Sequence, residues 1–198
     1  MSLEFTKNLF WQTLRAPRAA AERILALNLP RDWLWMALVL MGVLNGIVYS
    51  MFLQMGPAPD PDRAQMIPPV LQSPMVFTLF LVGALAITVV TLTWVGRAMG
   101  GKAQLSQILA LIGWLQVLRL IVQIVLLVLM LALPLAGMFF VIMASVWGLV
   151  ILVVFVDRAH EFGNSFKAAG VIILGFLGML IGLSIFLSVV GALFMGGA

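Results

Sequence analysis

Five long stretches without acidic residues dominate this sequence and determine what it can fold into. They cover residues 33–55, 75–99, 103–133, 134–156 and 166–195. Each is long enough to cross the ~30 Å hydrocarbon core of a bilayer as a helix. Because lipid offers the backbone no hydrogen-bond partner, each stretch is expected to be helical. The sequence therefore predicts an all-α polytopic membrane protein, with a five-transmembrane-helix bundle over residues 33–198 and an amphipathic N-terminal tail over residues 1–32.

The composition excludes a soluble domain and several kinds of active site. Only 9% of the residues are charged, whereas soluble domains average about 25%. The absence of cysteine excludes thiolate metal ligands and cysteine nucleophiles. His160 and Glu161 resemble half of a zinc-protease signature, but Asn164 stands where its second histidine belongs. We interpret the segment that contains Asp157, Arg158, His160 and Glu161 as a solvated cytoplasmic turn, and the sequence predicts a protein without a cofactor, metal site or enzymatic activity.

Basic residues are distributed unevenly between the connections and indicate the orientation in the membrane. The connection over 56–74 has a single basic residue, Arg63. Nine others lie in the tail or at the second and fourth connections: Lys7, Arg15, Arg18, Arg23, Arg31, Arg97, Lys102, Arg158 and Lys167. Because cytoplasmic loops carry such an excess, the N-terminus is predicted to be cytoplasmic and the C-terminus outside. The net charge of +4 favours attraction to anionic inner-leaflet lipid over nucleic acid, or is a topology signal alone.

The tail has an imperfect amphipathic pattern. The apolar side chains expected to lie on lipid are Phe10, Trp11 and Leu14. The basic side chains expected at the level of the phosphates are Lys7, Arg15, Arg18, Arg97 and Lys102. Pro17 is expected to start a second short helix over residues 18–29, because proline suits a first helical turn. A flexible tail without membrane contact is the alternative.

The third apolar stretch allows two arrangements. As one helix from Lys102 it would extend roughly 45 Å, which is longer than the hydrocarbon core. Its first part, 103–112, has the apolar pattern of an amphipathic helix. A break near Gly113 would make that part interfacial and place Arg119 close to the cytoplasmic boundary, where its side chain could snorkel. A continuous helix would place Arg119 near the middle of the membrane. The pattern favours the break.

Arg119 is a cation in an apolar stretch that contains no acid. Gln116, Arg119 and Gln123 share one helix face, since they are spaced i, i+3 and i+7. Such a polar stripe is expected to point into the bundle or a cleft. Asn45, central in the first stretch, is a candidate neighbour. The stripe is predicted either to bind a lipid headgroup or partner, or to fix helix packing.

Three segments share an order of features with a known family. Residues 14–25, LRAPRAAAERIL, have a leucine–proline opening before the first span. Residues 100–120 have a glycine-rich turn, a short helix and a Gly–aromatic pair, Gly113–Trp114, and residues 147–169 have two spans joined by a short polar turn. In these features the sequence resembles the Yip (Ypt-interacting protein) domain family, in its bacterial branch. The proline that often follows the Gly–aromatic pair is missing, and so is the eukaryotic Asp-Leu-Tyr-Gly-Pro motif, so a small-GTPase partner is not implied. The resemblance implies five spans, a cytoplasmic N-terminus in a bacterial inner membrane, and no known enzymatic activity.

These observations favour a non-enzymatic membrane adaptor, organiser or accessory subunit that binds lipid or a partner through Arg119, Gln116, Gln123 and Asn45. Glycines spaced four apart, such as Gly42 and Gly46, predict close packing within the bundle or self-association. A small transporter or channel for an anionic solute is the alternative. The sequence has no evident internal repeat and no intramembrane acid to support that alternative.

Overall fold

The computed structural model describes residues 3–55 and 73–195, with side chains described for 3–51 and 73–189. In these ranges every regular element is an α-helix, which confirms the predicted fold class. The helices are α1 (Leu3–Arg15), α2 (Pro17–Ala26), α3 (Arg31–Met55), α4 (Pro74–Ala98), α5 (Leu105–Ala132), α6 (Pro134–His160) and α7 (Ser165–Met195).

The helices from α3 to α7 are each long and apolar enough to cross a membrane. Proline occupies the first turn of α4 and α6, where its missing N–H has no helical partner to lose. Around the bundle the helices follow the order α3, α4, α7, α6, α5, and α5 packs on α3 to close the ring. Gly42 and Gly46 of α3 lie against Val82 and Thr78 of α4, so this pair serves packing within the bundle.

Helix α5 runs without interruption from Leu105 to Ala132, so the favoured break near Gly113 is wrong. Gly113 keeps its helical backbone with open space around it. The apolar pattern of 103–112 was correct, but its face is covered by protein. Ile108 and Ile112 line a small gap together with Phe155 and Val156 of α6. Because a neighbouring helix buries this face, α5 has no reason to bend onto lipid at Gly113.

The tail is folded into a hairpin, α1–α2, that packs on α5 and α6. Leu9 of α1 and Ile24 of α2 are buried in the shared core. The indole nitrogen Nε1 of Trp114 donates a hydrogen bond of 2.9 Å to Oγ1 of Thr13, and Glu22 pairs with Arg158 at 3.4 Å. The flexible-tail alternative is therefore wrong, whereas contact between the hairpin and lipid stays a prediction.

Two details of the tail differ from the expectation. Leu14 is half-buried against the core, while Trp11 is 48% exposed, because the buried face of α1 centres on Leu9 and Thr13. Helix α2 ends at Ala26, earlier than the predicted 29. Asn28, with φ of 42°, adopts the left-handed conformation that ends helices.

Charged groups gather at one end of the bundle. Lys102, before α5, pairs with Glu161 after α6 at 3.1 Å, and its backbone N–H donates to the carbonyl of His160 at 3.2 Å. These contacts join the α4–α5 turn to the α6–α7 turn. At the opposite end, α5 and α6 meet at the uncharged Leu133. Within residues 3–51 and 73–189 the bundle is thus polarised by charge along its axis, with Arg119 as the exception.

Candidate functional site

Arg119 lies near the midpoint of α5, about 20 Å from either end at 1.5 Å per residue. Its side chain is exposed on the outside of the bundle. Within residues 3–51 and 73–189 two ion pairs form, Lys102–Glu161 and Arg158–Glu22, and Arg119 takes part in neither. The guanidinium therefore faces the surroundings of the bundle without an acidic partner among these residues.

Asn45 fastens α3 to α5 one turn from Arg119. It is fully buried, and its amide nitrogen Nδ2 donates to the carbonyl of Met41 at 2.7 Å and to that of Gln116 at 3.2 Å. Gln116 is 8% exposed. The candidate neighbour named from the sequence thus lies beside Gln116, and the two residues set the level at which α3 and α5 meet.

The polar stripe divides into an inner and an outer part. Relative to Gln116, Gln123 is rotated by about 20° around the helix and Arg119 by about 60°. Gln116 accordingly is buried, Gln123 is half-buried and Arg119 is exposed. Of the two expected directions, the bundle interior does not apply to Arg119, because this rotation carries its side chain to the edge of the α3–α5 contact. Whether the stripe borders a cleft stays a prediction.

Three buried side-chain oxygens on or beside this stripe accept no hydrogen bond from any residue that the structure describes: Gln116 Oε1, Gln123 Oε1 and Asn45 Oδ1 of α3. Buried polar atoms in proteins normally have partners. The guanidinium of Arg119 adds up to five donors at the outer edge of the same stripe. Hydrogen-bond donors and acceptors are therefore concentrated where α3 meets α5, near the midpoint of α5.

Tyr49 is a neighbour of Arg119 that sequence reasoning missed. It lies one turn beyond Asn45 on α3, close enough to interact electrostatically with Arg119. Its ring stacks on Phe77 of α4, with centroids 4.7 Å apart and an interplanar angle of 18°. The i, i+4 spacing of Asn45 and Tyr49 could have indicated that the two side chains share a face of α3.

The predicted interfacial basic residues are all exposed, and they lie on other elements than Arg119. Lys7 and Arg15 share the outer face of α1 with Trp11, and the guanidinium of Arg15 is 5.4 Å from the Trp11 ring centroid. The others are Arg18 on α2, Arg97 at the end of α4 and Lys102. The structure thus separates a mid-helix cation from a basic region at one end of the bundle.

The turn after α6 is less solvated than the sequence suggested. Asp157 and His160 are 3% and 1% exposed. Asp157 Oδ1 accepts a 2.9 Å hydrogen bond from the N–H of Asn164, and the His160 ring stacks on Phe162 at 5.1 Å. The solvated-turn interpretation is wrong for both residues, because Asp157 bonds to the backbone of the turn and His160 lies against Gly96 of α4. In the described ranges no three His, Cys, Asp or Glu side chains could hold a metal ion together.

The best-formed cavities in the described part of the bundle are small. One, between Ile108 and Phe155, has no room for a water molecule, and the other, between Ile24 and Ser106, holds about 20 Å³. One water needs roughly 10–15 Å³ of such volume. Neither cavity is lined by Arg119 or forms a passage beside it. A ligand of the polar stripe would therefore approach from the outer surface of the bundle.

Comparison with known proteins gives one match. A family model described as the Yip1 domain matches residues 11–197, which is nearly the whole chain. The sequence matches no curated protein and no solved structure.

Proposed function

Because the chain belongs to the Yip1 domain family, we propose that it is a non-enzymatic adaptor, organiser or accessory subunit of a bacterial inner membrane. It binds an anionic group of a lipid or of a partner protein through Arg119. Its N-terminus is cytoplasmic, its C-terminus lies outside, and it needs no cofactor, metal or nucleic acid. The observation that carries this proposal is the exposed position of Arg119 at the middle of a helix able to span the membrane.

The exposed position of Arg119 indicates binding because a charged side chain in the membrane interior is energetically unfavourable. An arginine at the centre of a membrane helix costs about 2.5–3.5 kcal/mol on insertion scales. Such residues are rare, and they usually pair with another group or line a functional site. Since the described residues give Arg119 no acidic partner, an external anion would offset this penalty. Tyr49 and Gln123 would add hydrogen bonds to the same ligand.

The basic residues at one end of the bundle support a role in membrane organisation. Lys7, Trp11 and Arg15 share one outer face of α1. A face of this kind suits contact with anionic headgroups, each basic residue contributing about 1 kcal/mol near the surface. The small cavities favour an adaptor over a transporter of anions, because neither could conduct a solute in this conformation.

Native mass spectrometry of the full chain tests the proposal. Protein extracted from its own membrane should retain an anionic lipid or a second protein, and Arg119→Leu should reduce the occupied fraction roughly fivefold, a loss of about 1 kcal/mol. Arg119→Lys should retain part of it, because the charge remains while the planar fork is lost. The control is Arg31→Leu, at an exposed arginine at the start of α3.

Equal occupancy in wild type and Arg119→Leu would refute a binding role for Arg119. A flux assay in vesicles addresses transport with the same variants. Passage of chloride or phosphate that depends on Arg119 would replace the adaptor by a small anion transporter.

A further inference from the structure

Arg119 leaves the α3–α5 contact on the side of α6. It follows Ile112 by seven residues and precedes Met130 by eleven. These spacings are close to two and three helical turns, so the three side chains share one face of α5. Ile112 lines a small gap together with Phe155 of α6, and Met130 lies against Gly137 of α6. The face of α5 that carries Arg119 is therefore the one that packs on α6.

Small residues of α6 stand opposite Arg119. Gly148 precedes Phe155 by seven residues and follows Gly137 by eleven, which are the spacings that separate Arg119 from its own two neighbours. Because α5 and α6 are antiparallel, this register places Gly148 at the level of Arg119. A Cβ added at Gly148 would meet no atom within 4 Å, and Ala144 lies one turn away on the same face. The space in front of these two residues is thus left open by α5.

We call this space the α5–α6 groove and define it by Arg119, Gln123, Ala144 and Gly148. The wall formed by α5 is polar, since Arg119 is exposed and Gln123 is half-buried one turn further along the helix. The wall formed by α6 has no polar side chain at its two positions. The groove therefore combines an exposed cation with room for a ligand in front of it.

The groove is not covered by α4. Tyr49, which interacts electrostatically with Arg119, stacks on Phe77, three residues after Pro74 at the start of α4. The level of Arg119 is therefore within about two helical turns of the start of α4, and α4 does not extend beyond it. Snorkelling and local thinning of the bilayer allow a charged headgroup to meet an arginine inside a span. A ligand can thus reach the groove from the end of the bundle at which α4 begins.

The groove is too narrow for a helix of another protein. On both sides of it α5 and α6 pack together, through Met130 on Gly137 and through Ile112 and Phe155, whereas a helix with its side chains is ~10–12 Å wide. A phosphate on a glycerol stem is narrow enough to enter. Apolar side chains such as Trp147 are exposed beside the groove and offer a surface to acyl chains. Inorganic phosphate would gain nothing from this surface.

We propose that the α5–α6 groove binds one anionic phospholipid, whose phosphate is held by Arg119. This inference rests on the proposed function and replaces its choice between a lipid and a protein by a lipid. The planar guanidinium donates two parallel hydrogen bonds to the phosphate oxygens, and the Tyr49 hydroxyl and the Gln123 amide donate to the remaining oxygens. The headgroup must carry a net negative charge, because within residues 3–51 and 73–189 no acid pairs with Arg119.

Titration of the purified full chain in a neutral detergent tests the inference, with phosphatidylglycerol or phosphatidylcholine as the probe and native mass spectrometry as the readout. Wild type should bind phosphatidylglycerol roughly tenfold more tightly than phosphatidylcholine, a difference of about 1.4 kcal/mol. Arg119→Leu should remove this preference, and Arg119→Lys should keep part of it because the charge remains. Inorganic phosphate in large excess should not displace the lipid.

A variant that fills the groove tests its position. Gly148→Leu occupies the open space on the α6 side without changing Arg119, so it should weaken the binding of phosphatidylglycerol about as much as Arg119→Leu does. Ala144→Leu is a second variant of this kind. Gly113→Leu is the matched control, because that helical glycine also has open space around it but lies on another side of α5. Elution profiles check that all the variants fold.

The acids of the connection between α3 and α4 are tested in the same titration. Asp60 and Asp62 lie outside the described residues. The double variant Asp60→Asn/Asp62→Asn should bind phosphatidylglycerol as wild type does. Markedly tighter binding by this variant would mean that the chain's own acids compete for Arg119, and it would overturn the inference.

Equal binding of the two lipids to wild type would also overturn the inference, and so would a preference that survives in Arg119→Leu or displacement of the lipid by inorganic phosphate. Wild-type binding by both groove-filling variants would do the same. The proposed function has a separate readout in protein extracted from native membranes. If a partner protein is retained there through Arg119 while the purified chain shows no lipid preference, only this inference fails. If Arg119 affects neither measurement, both fail.

Discussion

His160 is enclosed by glycines at the charged end of the bundle. A methyl group added at Gly96 or at Gly101 would overlap its ring, and the imidazole lies beside the backbone of Leu92 in α4. The ring is thus held by the close fit to these glycines, by Leu92 and by its stacking on Phe162. At the scale of single residues, close packing here depends on the absence of a Cβ at two positions.

Gly96→Ala should therefore destabilise the protein by about 1–3 kcal/mol, the usual range for overpacking. Gly148→Ala is a matched control, since that helical glycine has open space around it and alanine favours a helix by up to about 1 kcal/mol. Thermal unfolding in detergent, followed by size-exclusion chromatography, should show a lower midpoint for Gly96→Ala alone. The double variant Gly96→Ala/His160→Ala should recover part of the loss. An unchanged midpoint in Gly96→Ala would contradict this packing.

The sequence was sufficient to predict which residues of α5 belong to the candidate site. It was not sufficient to predict which of their side chains face the bundle interior. The lack of acids in the apolar stretches singles out Arg119, and helical spacing groups it with Gln116 and Gln123. Which side of the stripe faces inward depends on where α3 packs, and no periodicity within α5 contains that information. Tyr49 was missed for the same reason, because its position beside Arg119 follows from the register of two helices.

At the scale of elements, the apolar face of helix α5 was predictable from the sequence, but the group that covers this face was not. The apolar face of 103–112 was identified correctly from its spacing. An apolar helix face is expected to be buried, but lipid and a neighbouring helix are both apolar, so the pattern does not tell which of them buries it. Phe155 and Val156 of α6 cover it here, and they follow more than forty residues later in the chain. The break at Gly113 was predicted because this face was assigned to lipid, whereas it packs against α6.

The docked hairpin α1–α2 leads to a prediction at the same scale. Trp114→Phe removes the indole donor and Thr13→Val removes its acceptor, so each should weaken docking by about 1 kcal/mol. Hydrogen exchange of the amides in α1 should then become roughly fivefold faster. The double variant should add little, since both changes remove one bond. Trp94→Phe, at a tryptophan that is 75% exposed, should leave the exchange of α1 unchanged, and equal acceleration there would contradict a specific anchor.

At the scale of the whole molecule, the number and composition of the spans were fixed by length and hydropathy, and the structure has five such helices in the same order. Their order around the bundle was not predictable. It places α4 between α3 and α7, through contacts such as Gly182 on Ile87 and Gly46 on Thr78. Apolar helices in lipid gain little by burying apolar surface, so steric fit selects their neighbours. Fit of this kind depends on pairs of distant side chains, which a single sequence does not reveal.

The polarised distribution of charge predicts the orientation of the whole bundle. Basic residues in short connections keep those connections cytoplasmic, so α1 should face the cytoplasm and the uncharged turn before α6 should face outside. Because the chain has no cysteine, Asn8→Cys and Leu135→Cys, both at exposed positions, report each side separately. In intact spheroplasts a membrane-impermeant maleimide should label Leu135→Cys and not Asn8→Cys, and permeabilised cells should label both. Labelling of Asn8→Cys alone in intact cells would reverse the orientation, and with it the side on which the basic face of α1 could meet anionic lipid.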